Sequence, residues 1–162
     1  MAEELSDVYA QELAPVWRFV RARVPSHADA EDLTSEVFTR AARAWGRYDP
    51  RRGSVRAWLL GIAHNVVADW WRRQGREISS DRVEVAGSAA SAEEAVLGGA
   101  LIEELRSQLG RLTDKERDAV ALRFGAGLKA AEAGEVLGVS ETALRMLVHR
   151  AVSKLREVMA VE

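Results

Sequence analysis

Three carboxylates, Asp29, Asp32 and Glu36, stand three and four residues apart, and Arg40, Arg43 and Arg47 continue a related stripe with the opposite sign. At helical spacing the acidic groups share one face, so their chemistry is ion pairing. On charge alone this describes an ordinary solvated helix, acid near its start and base near its end, an order the helix dipole favours. A second group, Arg51, Arg52 and Arg56, lies near Tyr48, Trp58 and the Trp70-Trp71 pair. Arginines that grip phosphate beside aromatic rings are what capture of a single nucleic-acid strand requires. Asn65 can hydrogen-bond a base edge through donor and acceptor together, and is equally an unpartnered surface amide. A third group, Glu141, Thr142, Arg145, His149 and Arg150, falls on the polar side of the last apolar-periodic segment.

The elements that carry these groups read as helices throughout. Leu5, Val8, Tyr9, Leu13, Val16, Val20 and Val24 recur at amphipathic spacing, with a kink or restart expected at Pro15. Ser26 and Asp29 cap a second helix with Ala30, Leu33, Val37, Ala41 and Ala44 on one stripe, ending near Gly46. Tyr48 to Gly53 is a loop, and Ser54 caps a third helix through Val55, Trp58, Leu59, Ile62, Val66 and Trp70. Of Trp70 and Trp71, directed about a hundred degrees apart on a helix, only one can fully face inward. Further on, Ser91 with Glu94, and Thr113 with Glu116, form capping boxes, the second opening a helix to Phe124. A short helix from Ala130 to Leu137, a turn at Gly138-Val139-Ser140 and a long helix from Glu141 to about Val158 follow, which is helix-turn-helix grammar. Leu144, Val148, Ala151 and Leu155 form the buried stripe of that last helix.

Composition bounds the rest. The chain has 162 residues, and the polar stretch from Gln74 to Ser91 separates two apolar-periodic blocks, so two small domains joined by a flexible linker are expected, each with a modest core. The absence of cysteine excludes a disulfide framework and thiolate metal sites, and His27, His64 and His149 are not at ligand spacing. No glycine-rich phosphate loop or nucleophile and base pair is visible, so neither an enzyme nor a bound cofactor is expected. The acidic Met1-Ala2-Glu3-Glu4 start and the lack of a membrane-spanning apolar run predict a cytoplasmic protein. A net charge of −2 is low for a chain that grips DNA unaided.

Taken together, Asp29-Ala30-Glu31-Asp32-Leu33-Thr34-Ser35-Glu36-Val37-Phe38, Trp45, Tyr48 to Ser54 and Ala57-Trp58-Leu59, followed by Leu109 to Arg117 and the helix-turn-helix from Gly127 to Arg150, resemble an extracytoplasmic-function (ECF, group IV) sigma factor of RNA polymerase. The resemblance covers most of the chain. It implies an all-α protein with a region 2 domain over residues 1–75, a linker over 76–91 and a region 4 helix-turn-helix domain over 92–162. It implies docking of Asp29, Asp32, Ser35 and Glu36 on the clamp helices of the largest polymerase subunit. Minus-ten DNA would meet Tyr48, Arg51, Arg52, Arg56, Asn65, Arg72 and Arg73, with a flipped base received by the loop at Tyr48 to Ser54. Minus-thirty-five DNA would meet Glu141, Thr142, Arg145, His149 and Arg150. Partnership with polymerase core also resolves the charge balance, because core supplies much of the electrostatics.

Three departures from the family pattern stand out. Ser35 replaces a common glutamine, Ala130 and Ala133 replace larger residues, and Met146-Leu147 replaces a Ser-Arg pair. Met and Leu cannot hydrogen-bond a base edge, which points to tighter helix packing or a protein partner, such as the anti-sigma proteins that hold many of these factors inactive. Two other classes account for part of the sequence: a free-standing helix-turn-helix regulator, and a sigma-like protein-binding module that has lost promoter reading.

Overall fold

The computed structural model describes residues 2–75 and 108–160. Every regular element among them is helical. The linker and the expected Ser91 and Glu94 cap lie outside the described residues.

Three helices form the first half: α1 (Ala2–Arg23), α2 (His27–Arg43) and α3 (Val55–Gly75), with a short 3-10 turn at Trp45–Arg47. Their apolar spacing decides what they bury. Helix α1 turns Val16, Phe19 and Val20 inward, α2 Leu33, Val37 and Ala41, and α3 Leu59, Leu60, Ala63, Val66 and Val67. Full burial of each Leu or Phe contributes about 1.5–3 kcal/mol. Helix α1 runs unbroken through Pro15. The Ser26 hydroxyl accepts from the Asp29 N–H at 3.0 Å to start α2, and the Ser54 hydroxyl accepts from the Ala57 N–H at 3.1 Å to start α3. Both caps are as expected from sequence.

The second half is α4 (Asp114–Val120), a π turn at Ala121–Gly125, α5 (Ala130–Leu137) and α6 (Glu141–Ala160). Thr113 and Glu116 form the expected capping box. Between α5 and α6 the chain reverses at Gly138, whose φ of 70° suits a residue without Cβ, while the Val139 N–H donates back to the Gly134 carbonyl at 2.9 Å. A Cβ on Gly134 would lie only 2.9 Å from the Val139 oxygen, so the tight corner depends on that glycine too.

The two halves share one core. Ala119, Leu122, Ala126, Leu128, Ala130, Ala133 and Leu144 belong to the same buried cluster as the side chains of α1, α2 and α3. The π turn is the hinge of this contact. The end of a helix leaves carbonyls without intrahelical partners, and here arginines of the first half serve them. Arg18 Nε donates to the Gly125 carbonyl at 2.6 Å, and Arg56 Nη1 to the Ala126 carbonyl at 3.4 Å. The two small helical domains expected from the sequence thus meet through one continuous buried cluster.

Candidate functional site

The acidic face of α2 survives as an exposed feature. Asp32 and Glu36 are exposed, while Asp29 is partly buried and accepts from the Ser26 hydroxyl at 2.7 Å. With Arg40, Trp70 and Arg73 these carboxylates line a recess of about 300 Å3 between α2 and α3. Its positive side is already paired in part: Arg40 Nε meets Glu36 at 3.0 Å and its Nη1 meets Asp69 at 3.5 Å. Ser35 points elsewhere, into a groove of about 1200 Å3 between α1 and α2 that Leu13, Trp17 and Phe38 also line. The four residues assigned to one docking surface thus occupy two neighbouring ones.

The loop between α2 and α3 is built around aromatic rings. Trp45 and Tyr48 stack with centroids 5.6 Å apart, and Tyr48 lies 5.3 Å from Trp58. The Tyr48 hydroxyl donates to the Gly53 carbonyl at 3.0 Å, which closes the loop. Partial burial, and then the Asp49 charge, push the Tyr48 phenol above its ordinary pKa, so it stays a neutral donor. Asp49 accepts from the Arg51 N–H at 3.0 Å and Nε at 3.2 Å, and those bonds hold its carboxyl below the usual range.

A recess of about 480 Å3 beside the loop brings Arg52, Trp58 and Asn65 together, and its far wall is Glu132 and Glu135 of α5. Arg56 is not free to join them. Its Nε donates to Glu12 at 2.7 Å, a carboxylate with a side chain 8% exposed. Arg72 pairs with Asp69 at 2.6 Å, and Arg73 borders the acidic recess. The structure therefore gathers Tyr48, Arg52 and Asn65 at one recess, leaves Arg51 exposed on the loop, and sets Arg56, Arg72 and Arg73 apart. Neither Trp70 nor Trp71 is fully buried. They meet edge to face at 4.8 Å, and Trp71 donates its indole N–H to the Arg23 carbonyl at 2.9 Å.

On α6, Glu141, Thr142, Arg145, His149 and Arg150 are all exposed, with Leu144 and Ala151 buried opposite. Arg145 pairs with Glu141 at 2.7 Å. The Met146-Leu147 pair divides: Leu147 packs against the core, whereas Met146 is 47% exposed beside the polar row.

Sequence reasoning missed the polar groups that join the halves. Arg23 donates to Asp118, His64 Nε2 lies 3.4 Å from Asp118, and the Ser54 hydroxyl donates to Glu132 at 2.7 Å. No local pattern marks any of them.

Two family models match: Sigma-70 region 2 over residues 8–77 and Sigma-70 region 4 over residues 108–157. The RNA polymerase sigma factor CarQ of Myxococcus xanthus is 31% identical over 97% of this chain and 90% of its own length. The ECF RNA polymerase sigma factor ShbA of Streptomyces griseus subsp. griseus is 31% identical over 96% of this chain and 87% of its own. The chain belongs to the ECF RNA polymerase sigma factors. Against the ECF sigma factor BldN of Streptomyces coelicolor, 35% identical, this sigma factor spans 60% of the relative's length. Its fold is that of RpoE from Bartonella quintana, solved with the anti-sigma factor NepR, at a TM-score of 0.82, 21% identity and 99% coverage of both chains. CnrH, solved with the cytosolic domain of CnrY, gives 0.77 at 24% identity, covering 100% of this chain and 91% of that one. Among the described residues no helix of this sigma factor is long and apolar enough to cross a membrane.

Proposed function

We propose that this ECF sigma factor, of group IV, binds RNA polymerase core through the acidic face of α2 and directs promoter-specific initiation. Asp29, Asp32 and Glu36, with Ser35 on the adjoining groove, meet the clamp helices of the largest subunit. Residues 1–75 form the region 2 domain, 76–91 the linker and 92–162 the region 4 domain. Tyr48, Arg51, Arg52 and Asn65 take the minus-ten strand, joined by Arg73, and by Arg56 and Arg72 when their partners Glu12 and Asp69 are exchanged for phosphate. Glu141, Thr142, Arg145, His149 and Arg150 meet the minus-thirty-five element.

The observation that carries this reading is the recess that gathers Tyr48, Trp58, Arg52 and Asn65, because it combines ring faces, a phosphate-binding cation and a base-reading amide in one place. An anti-sigma protein is the further partner, as in the complexes of RpoE with NepR and of CnrH with CnrY. Exposure of Met146 on a nominal DNA face fits such a partner. The test is transcription with purified core polymerase, this chain and genomic DNA, with mapping of 5′ ends. New starts sharing a minus-ten and minus-thirty-five sequence are expected only when the chain is present. A start profile identical to that of core alone would overturn the assignment.

A further inference from the structure

Among the described residues three large apolar side chains stand exposed, Tyr9, Phe124 and Met146, and only Met146 lies on α6. A single exposed methionine is ordinary on a protein surface. Its place here is not. Over residues 141–150 the exposed positions are Glu141, Thr142, Arg145, Met146, His149 and Arg150, with Leu144 buried behind them. Met146 comes one turn after Thr142 and one turn before Arg150, so the three form one line along the helix. It is the sixth residue of α6, within the first two turns, and those are the turns of a reading helix that reach base edges.

In the major groove every base pair presents hydrogen-bond donors and acceptors, and thymine alone adds an apolar group, its C5 methyl. A methionine donates no hydrogen bond and accepts one only weakly. Set against N7, O6 or an exocyclic amine it covers polar atoms and returns nothing, which is unfavourable. Set against the methyl it removes apolar surface on both sides from water, and its rotatable bonds let it adjust to the groove. We propose that Met146 is a specificity residue of this sigma factor, selecting thymine at one position of the minus-thirty-five element by contact with the C5 methyl. This rests on the reading of α6 as the minus-thirty-five surface. It gives a positive role to a residue that stands where the family pattern has serine. Leu147, packed against the core, has no such role. A protein seated on this face would cover the same methionine, so the two contacts exclude each other.

Uracil is thymine without that methyl, and so isolates the contact. The full chain is assembled with core polymerase and offered duplexes that carry a minus-ten segment recovered by start mapping and randomised pairs across the minus-thirty-five region. One pool is made with thymine and the other with uracil, and the bound DNA is sequenced. The parent should enrich thymine at one position, and uracil there about fourfold less, the worth of one methyl-sized group buried. Met146→Ser, a change at an exposed position, should melt with the parent. It should erase the difference between thymine and uracil at that position and keep the parent's preferences at the others. Met146→Leu, which stays apolar, should retain the difference. If the parent enriches thymine and uracil equally at every position, or if the difference survives Met146→Ser, the methyl contact is overturned while the remaining preferences keep α6 as the reading helix. If neither pool shows a preference at any upstream position, α6 does not read the element and both readings fall.

Discussion

Arg23 at the end of α1 donates to Asp118 in α4 across 95 residues of sequence, and the two side chains are only 7% and 9% exposed. His64 Nε2 approaches the other Asp118 oxygen at 3.4 Å, and the Trp71 indole takes the Arg23 carbonyl. This pair is the polar centre of the contact between the halves. Burying two charges removes them from water, and their attraction about offsets that cost, so such a pair chiefly selects the arrangement in which it forms. Among the described residues one Arg23 nitrogen, Nη1, has no partner, which leaves the cost incompletely offset.

Asp118→Ala is therefore expected to destabilise the chain by about 3–5 kcal/mol, because it strands a buried guanidinium. Arg23→Met with Asp118→Leu should recover most of that loss. Urea unfolding of the single and double variants measures both. A double variant as unstable as Asp118→Ala would show that the pair contributes net stability.

Met146 and Leu147 should respond in opposite ways. Leu147→Arg places a charge against the core and should lower stability by about 1–3 kcal/mol. Met146→Arg, on the exposed side of α6, should stay within about 0.5 kcal/mol of the parent and steepen the salt dependence of minus-thirty-five binding by roughly one unit through an added phosphate contact. Melting temperatures beside DNA affinities at several salt concentrations separate the two. Equal destabilisation by both changes would place Met146 in the packing.

Charge reversal at Asp32 and Glu36 tests polymerase docking. Both side chains are exposed, and the Glu36 to Arg40 pair is a surface i, i+4 contact worth about 0.3–0.5 kcal/mol. Asp32→Lys with Glu36→Lys should thus keep the helical circular dichroism of the parent and lose co-purification with core polymerase. Retained co-purification would remove the docking assignment.

Beside the loop, Asn65→Ala should alter base preference within the minus-ten element if, as proposed, its amide reads a base edge at that recess. Arg51→Ala should weaken opening at all promoters alike, more so at high salt, because phosphate contacts carry no sequence information. Permanganate footprinting across promoter variants reads both effects. Unchanged base preference in Asn65→Ala would count against readout by that residue.

Acid should loosen the second half through Glu116. Burial alone pushes its carboxyl up, but Lys154 Nζ at 2.6 Å and the Thr113 N–H at 2.9 Å together hold it below its ordinary value. A group whose folded pKa is lowered contributes stability that is present above its unfolded value and is lost as pH falls through the folded one. Thermal stability should accordingly decline as pH drops below about 4.3, the usual glutamate value. Glu116→Gln, which keeps the capping acceptor, should show a shallower decline, and parallel acid profiles for the two chains would exclude the contribution.

Much of this sigma factor is settled by neighbours in sequence. Helix starts at Ser26, Ser54 and Thr113 are local hydrogen bonds over three residues, and the reversal at Gly138 is a local backbone demand. The polar rows of α2 and α6 follow from the helical repeat, so the exposure of Asp32, Glu36, Arg145 and His149 was legible before any coordinates. What only the tertiary structure decided is which half of the chain each remaining side chain serves. Arg56 reads as a phosphate-binding arginine in sequence, yet a buried Glu12 from a helix 44 residues away holds it. Leu147 and Met146 are adjacent in sequence, and the shared core takes one and leaves the other. Glu132 stands in sequence inside a short helix with no mark of a distant partner, yet it accepts from the Ser54 hydroxyl 78 residues away because α5 packs against α3. Caps and periods act over one or two helical turns. Contacts between residues dozens of positions apart depend on how whole helices pack, and no spacing along the chain records that.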